Sequence, residues 1–198
     1  MSEHRTFKRL CVFCGSSNDV DPLYINAARA VGQWLAGQGI GVVYGGGRVG
    51  LMGAVADGAL DAGGEVVGVI PEKILGLEVG HTGLGNNLHV VRGMHARKAM
   101  MARLADGFIA LPGGWGTLEE IFEVTTWAQL NYHLKPVGLL NANGFYDHLL
   151  RFIEHASGEG FIRPMHKDLM VVRDNISDLV EGLSTVTIPK TEQWIVRP

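Results

Sequence analysis

Gly107-Phe108-Ile109-Ala110-Leu111-Pro112-Gly113-Gly114-Trp115-Gly116-Thr117-Leu118-Glu119-Glu120 decides how this chain is read, because a short apolar run passes through a glycine loop into a helix-forming segment. The apolar run has the length and composition of a buried strand. A helix that opens behind glycines presents unpaired backbone N–H groups and the positive end of its dipole, and the missing Cβ atoms let an anion approach the backbone. Strand, glycine loop and helix start in this order predict a phosphate site. The competing reading is a plain helix start, with Thr117 as N-cap and Glu120 closing a capping box three residues on.

A second glycine stretch, Gly45-Gly46-Gly47-Arg48-Val49-Gly50-Leu51-Met52-Gly53, follows the apolar run 40–44. Gly45, Gly47 and Gly50 satisfy the G-x-G-x-x-G pattern of dinucleotide-binding folds. Glycine makes up 28 of 198 residues, so such a match arises readily by chance. The loop also belongs to the second strand–helix unit, and the next apolar run ends in Pro71 without an acidic residue. An NAD site is not expected. The Walker A pattern is absent too, so the phosphate-bearing ligand is expected to be a nucleoside monophosphate or similar.

Apolar runs at 9–14, 40–44, 65–70, 88–91, 107–111, 136–140 and 169–172 alternate with helix-patterned segments at 23–36, 51–62, 94–105, 118–132, 145–157 and 176–182. Asp21-Pro22 supplies a cap and a first-turn proline for the first helix. Near-continuous apolar strands joined by helical crossovers predict an α/β fold, with a mainly parallel sheet of about seven strands and helices on both faces. In such sheets ligands bind beyond the carboxyl ends of the strands. Both glycine loops leave strands at that edge, and so does Cys14-Gly15-Ser16-Ser17. The candidate cradle thus comprises Ser16, Gly45, Gly46, Gly47, Gly113, Gly114, Trp115, Gly116 and Thr117.

Length and a 46% hydrophobic content suit one domain over 1–198, with a core at about 9–183, a glycine-rich loop at 76–87 and a tail at 185–198 that docks through Trp194, Ile195 and Val196. A net charge of −3 leaves no electrostatic footprint for nucleic acid. No apolar run approaches the roughly 20 residues needed to span a bilayer, so a soluble cytoplasmic protein is expected. Cys11 and Cys14 are spaced C-x-x-C but lie in a strand, where residues three apart point to opposite faces. They are expected to be buried, inert thiols rather than a redox pair.

In the segment 94–105, helical periodicity puts Met94, Met101 and Leu104 on one apolar stripe with Arg97 in its middle and Arg103 outside it. A guanidinium there requires an anionic partner or a water-lined pocket, because an unpaired buried charge is costly. Snorkelling to the helix end, or pairing with a purely structural carboxylate, meets the same requirement without a function.

Three motifs in order carry a resemblance: Gly-Gly-Gly-x-x-Gly-Leu-Met-Gly at 45–53, Met-His-x-Arg-Lys at 94–98 and Pro-Gly-Gly-x-Gly-Thr-x-x-Glu at 112–120. Together they resemble the LONELY GUY family of cytokinin riboside 5′-monophosphate phosphoribohydrolases, proteins that have also been labelled lysine decarboxylases. The likeness extends from about Arg9 to Leu183, and only Trp115 fills a variable position of the glycine loop. The resemblance implies a Rossmann-like, doubly wound fold, a homodimer, no cofactor, and hydrolysis of the N-glycosidic bond of N6-substituted AMP to free base and ribose 5-phosphate. It implies Arg97 and Glu120 as the catalytic pair, with Lys98, Gly114, Gly116, Thr117, Thr126 and Glu78 lining the nucleotide site.

That chemistry suits a carboxylate beside C1′, which can stabilise the oxocarbenium-like charge and activate water. Glu120 takes this part. On a helical wheel it lies next to Val124 by the apolar stripe, whereas Glu119 and Glu123 share the polar face. Arg97 could hold phosphate, hold ribose hydroxyls, or orient Glu120. No metal cluster is evident among the eight histidines. Two other readings compete: a non-catalytic nucleotide or molybdenum-cofactor carrier, which needs no Arg97–Glu120 pair, and a pyridoxal-phosphate decarboxylase, for which no Schiff-base lysine context is recognisable. Trp127 and Leu130 fall away from the stripe of Leu118, Ile121, Val124 and Ala128, which predicts an interface between two copies.

Overall fold

A computed structural model describes residues 4–75 and 80–189 of the chain. Seven strands, β1 Arg9–Phe13, β2 Gly41–Tyr44, β3 Val66–Pro71, β4 Leu88–Val91, β5 Gly107–Ala110, β6 Val137–Leu140 and β7 Met170–Arg173, form one sheet in the order β4-β3-β2-β1-β5-β6-β7. Every neighbouring pair is parallel. The chain winds outward from β1 to β4, crosses to the other side of β1, and winds outward again to β7. This is the doubly wound α/β topology, and its direction reverses between β1 and β5.

The helices are α1 Pro22–Gly37, α2 Gly50–Asp61, the single turn α3 Glu72–Leu75, α4 Met94–Leu104, α5 Trp115–Gln129, α6 Asp147–Gly158 and α7 Ile176–Thr185. Alternation along the strands sorts them into two layers. Leu10 and Val12 join Val31 and Leu35 of α1, Val55 of α2 and Leu179 of α7, while Cys11 and Phe13 join Met101 of α4 and Ile121 and Val124 of α5. The two cysteines fall in opposite layers, buried and unbonded, as strand periodicity requires. Burial drives both thiols far above their ordinary range, which keeps them protonated and inert.

Asp21 caps α1 through its carboxylate, which accepts from the Leu23 N–H at 2.8 Å, with Pro22 as the first helical residue. The start of α5 differs from the sequence expectation. The helix begins at Trp115, its N-cap is Gly114, and no side chain caps it. Thr117 is the third residue of the first turn and the capping box with Glu120 does not form, because flexible glycines let the helix start earlier than the last loop-favouring residue. Part of the expected 76–87 loop is ordered as the 3-10 turn Thr82–Asn87. The tail residues Trp194, Ile195 and Val196 lie outside the described residues. No helix among the described residues is long and apolar enough to cross a membrane.

Candidate active site

The loops after β1 and β5 meet where the sheet reverses, and the Gly15 N–H donates to the Pro112 carbonyl at 3.0 Å to tie them together. Gly113 is the joint. A Cβ there would stand 2.1 Å from the Thr117 hydroxyl oxygen and 2.8 Å from the Gly15 nitrogen, so any side chain would force the loops apart. The uncapped first turn of α5 therefore lies in the crevice at the carboxyl edge of the sheet, where its backbone N–H groups and dipole favour an anion.

Two cavities adjoin in this crevice and share Gly15, Ser16 and Gly114 in their walls. The smaller, about 290 Å³, is lined by Arg97, Glu120, Met94 and the turn Gly114 to Thr117. The larger, about 460 Å³, has an apolar wall from Val20, Tyr24, Leu51 and Phe145, with Ser17 and Asp21 at its polar side. Phe145 meets Tyr24 edge-on with ring centres 5.7 Å apart, and Tyr146 likewise at 4.9 Å.

Arg97 and Glu120 come from α4 and α5, which cover the same sheet face. The buried guanidinium donates from Nε to the Val69 carbonyl at 3.1 Å and from Nη2 to the Gly45 carbonyl at 3.2 Å. Its Nη1 stands 3.8 Å from the Glu120 carboxylate, an ion pair without a bidentate hydrogen bond. Glu120 is 12% exposed, against 55% for Glu119 and 27% for Glu123, as the helical wheel predicts. Burial pushes its carboxyl up to about 7, with the neighbouring Arg97 working in the opposite direction. A carboxyl near 7 titrates in the range where it can exchange a proton with substrate or water.

Ser16, Gly114, Trp115, Gly116, Thr117, Arg97 and Glu120 are thus brought together on one cavity, with Gly113 on the adjoining one. Gly45, Gly46 and Gly47 are buried behind them. Gly45 is a glycine for Arg97: a Cβ there would lie 1.9 Å from Nη2. Gly46 accepts from the backbone N–H of His81, and Gly47 bridges to Gly80. Lys98 turns instead to Glu119 and Glu123, and Thr126 donates its hydroxyl to Phe122 within α5. Glu78 lies outside the described residues. Met94, expected on the core stripe, is 41% exposed at the mouth of the smaller cavity, because the first residue of α4 stands beyond the edge of the packed layer.

Sequence reading missed the apolar wall of Val20, Tyr24, Leu51 and Phe145, whose members come from three separate stretches with no common pattern. It also missed His81, buried with Nε2 3.0 Å from the Asp57 carboxylate, which anchors the segment that holds Gly46.

The sequence profile of a family described as "Possible lysine decarboxylase" matches residues 52–183. The chain is 52% identical over 177 residues to the cytokinin riboside 5′-monophosphate phosphoribohydrolase LOG7 of Arabidopsis thaliana, covering 89% of this chain and 81% of that protein. It is 48% identical over 190 residues to the phosphoribohydrolase LOG of Oryza sativa subsp. japonica, covering 96% and 78%. Among solved structures it resembles the molybdenum cofactor carrier protein of Chlamydomonas reinhardtii, with a TM-score of 0.64 and 21% identity over 89% of this chain and 96% of that one, a likeness of fold.

Proposed function

Because this chain belongs to the family described as possible lysine decarboxylases, together with the plant cytokinin riboside 5′-monophosphate phosphoribohydrolases, we propose that it hydrolyses the N-glycosidic bond of N6-substituted AMP to free base and ribose 5-phosphate. The observation that carries the reading is a carboxyl poised near neutrality beside a rigid guanidinium, one turn from a helix N-terminus suited to phosphate. In this reading the phosphate sits on the first turn of α5, the ribose lies over Glu120, and the base with its N6 substituent enters the larger cavity against Tyr24 and Phe145. As the C1′–N9 bond breaks, its electron pair leaves with the base, while ionised Glu120 stabilises the charge at C1′ and accepts a proton from the attacking water. The oxygen of that water bonds to C1′, and the proton given up balances the one the departing base takes up, which returns Glu120 to its ionised form. Arg97, held at two nitrogens by backbone carbonyls, presents Nη1 to Glu120 and to a ribose hydroxyl.

The test is incubation of the purified protein, with no cofactor added, with AMP or N6-isopentenyl-AMP and measurement of base and ribose 5-phosphate. Release from both, with the isopentenyl substrate preferred, is the expected result. Binding without release favours the carrier reading, which is the less supported of the two because relatives at about half identity are named as hydrolases.

The same proposal includes a cytoplasmic homodimer. Trp127, expected at the interface, is partly buried against the core and meets the His133 ring edge-on. Leu130, the other expected residue and the C-cap of α5, is 40% exposed and continues a stripe with Phe122, 39% exposed, and Thr126, each four residues from the next. Light scattering at micromolar concentration should return twice the chain mass of 21.4 kDa. Phe122→Asp with Leu130→Asp should return a monomer, and a strictly monomeric wild type would overturn the assignment.

A further inference from the structure

Gly45, Gly46 and Gly47 lie between β2 and α2 and have no side chains with which to pack, so the place of this turn depends on what holds its carbonyls. Two neighbouring carbonyls are held from different elements. Gly45 accepts from Nη2 of Arg97 on α4 at 3.2 Å, and Gly46 accepts from the backbone N–H of His81 at 3.0 Å. Gly46 stands at φ +77°, a conformation that favours glycine. Gly47 bridges to Gly80, and Leu84 from the same stretch packs over β3, where a Cβ at Gly68 would stand 2.8 Å from Leu84 and 2.9 Å from the Gly46 Cα. The stretch 80–84 therefore clamps the glycine turn against the sheet. His81 fixes the clamp in turn: its buried ring donates from Nε2 to the Asp57 carboxylate of α2 at 3.0 Å, since a carboxylate only accepts, and Nδ1 has no hydrogen-bond partner among the described residues.

We propose that His81 is a positioning residue of the hydrolysis: bonded to Asp57, it clamps the glycine turn so that the Gly45 carbonyl holds the Arg97 guanidinium with Nη1 towards Glu120. This rests on the reading of Arg97 and Glu120 as the catalytic pair. Arg97 reaches Glu120 at 3.8 Å without a hydrogen bond of its own, so its aim comes from the Val69 and Gly45 carbonyls, and only Gly45 belongs to a turn without side-chain packing. A displacement of about 1 Å there is enough to lower a rate on the order of a hundredfold. The first turn of α5 takes no part in these contacts, so turnover should respond more than substrate binding.

The experiment breaks the imidazole–carboxylate bond from either side, with His81→Phe and with Asp57→Leu, whose carboxylate is 37% exposed and tolerates replacement more readily. Asp57→Asn keeps an acceptor for Nε2. Arg29→Met removes the other cation near Asp57, 3.8 Å away, and leaves the His81 bond intact. Two quantities are read: kcat and KM for N6-isopentenyl-AMP, and, in protein without ligand, the hydrogen-exchange rate of the Arg97 Nε–H by nitrogen NMR, assigned by its loss in Arg97→Met. His81→Phe and Asp57→Leu should each lower kcat about tenfold or more with KM within about threefold, and speed the Arg97 exchange about tenfold or more. The double variant should be no worse than either single one, and Asp57→Asn and Arg29→Met should stay near wild type. If folded His81→Phe and Asp57→Leu leave either kcat or the Arg97 exchange unmoved, or raise KM tenfold at constant kcat, the proposal is overturned. Thermal melts identify a variant that fails by unfolding, and Asp57→Leu then carries the decision. If wild type releases no base, the hydrolase reading fails, while the exchange rates still decide whether His81 holds Arg97.

Discussion

Glu120→Gln is expected to lose hydrolysis by on the order of a hundredfold or more while the protein stays folded and binds AMP. The amide keeps the shape of the side chain but can neither carry the negative charge that offsets the developing cation at C1′ nor take a proton from water. Glu119→Gln, on the exposed side of the same turn, should stay within a few-fold. The wild-type rate should rise with pH through about 7, since the ionised form of Glu120 acts and burial has lifted its carboxyl to that value. Stability should move the opposite way. A carboxyl raised from 4.5 to about 7 by folding favours the fold in its protonated form; that contribution is complete below pH 4.5 and is lost as pH rises through 7. At pH 8 the glutamine variant should therefore be more stable than wild type, by an amount on the order of 1–3 kcal/mol, and the difference should shrink as pH falls and vanish below the unfolded-state value of 4.5. Turnover and thermal melts across this pH range check both halves. An active Glu120→Gln, or one that fails only by unfolding, would remove Glu120 from the chemistry.

Arg97→Met is the second large effect. It strips the Val69 and Gly45 carbonyls of their buried donor and removes the cation that restrains the Glu120 carboxyl. Each unpaired buried carbonyl costs about 1–3 kcal/mol, so the variant should lose roughly 2–6 kcal/mol of stability. Its turnover at pH 7 should fall on the order of a hundredfold, and the acid limb of its profile should shift above that of wild type. Recovery at pH 9 separates two roles. A rate that returns most of the way shows that Arg97 acts by keeping Glu120 ionised, whereas a persistent loss shows that the guanidinium also contacts the reacting sugar. Arg97→Lys should not rescue, since one ammonium cannot span two carbonyls and a carboxylate in a fixed plane. Gly45→Ala offers a check that leaves the charge in place, because its Cβ would occupy the position of Nη2. If Gly45→Ala matches wild type, the geometry assigned to Arg97 is wrong.

The residues 107–120 show which parts of this protein are local. Strand β5, the glycine loop and the α5 helix follow from apolar run, glycines and periodicity, each set by contacts within a few residues, and the same holds for the other six strands and for the Asp21 cap. Helix starts next to glycine are less legible, and α5 begins three residues before the expected 118. The side that Glu120 takes on its helix was also written in the sequence, because burial follows the hydrophobic stripe.

What the sequence by itself determined is therefore the order of elements, the sheet edge that carries the loops, and the candidate pair Arg97 and Glu120. Tertiary structure alone decided how that pair meets. The reversal of strand order between β1 and β5 brings loops about a hundred residues apart into one crevice. Gly45 became a seat for the Arg97 guanidinium rather than part of the cavity wall, and Lys98 turned to Glu119 and Glu123. No local pattern encodes these outcomes. Which carbonyl receives a buried guanidinium, and which carboxylate is left uncompensated, depends on distances between helices that packing sets, and electrostatic energy in a poorly hydrated site varies steeply with those distances.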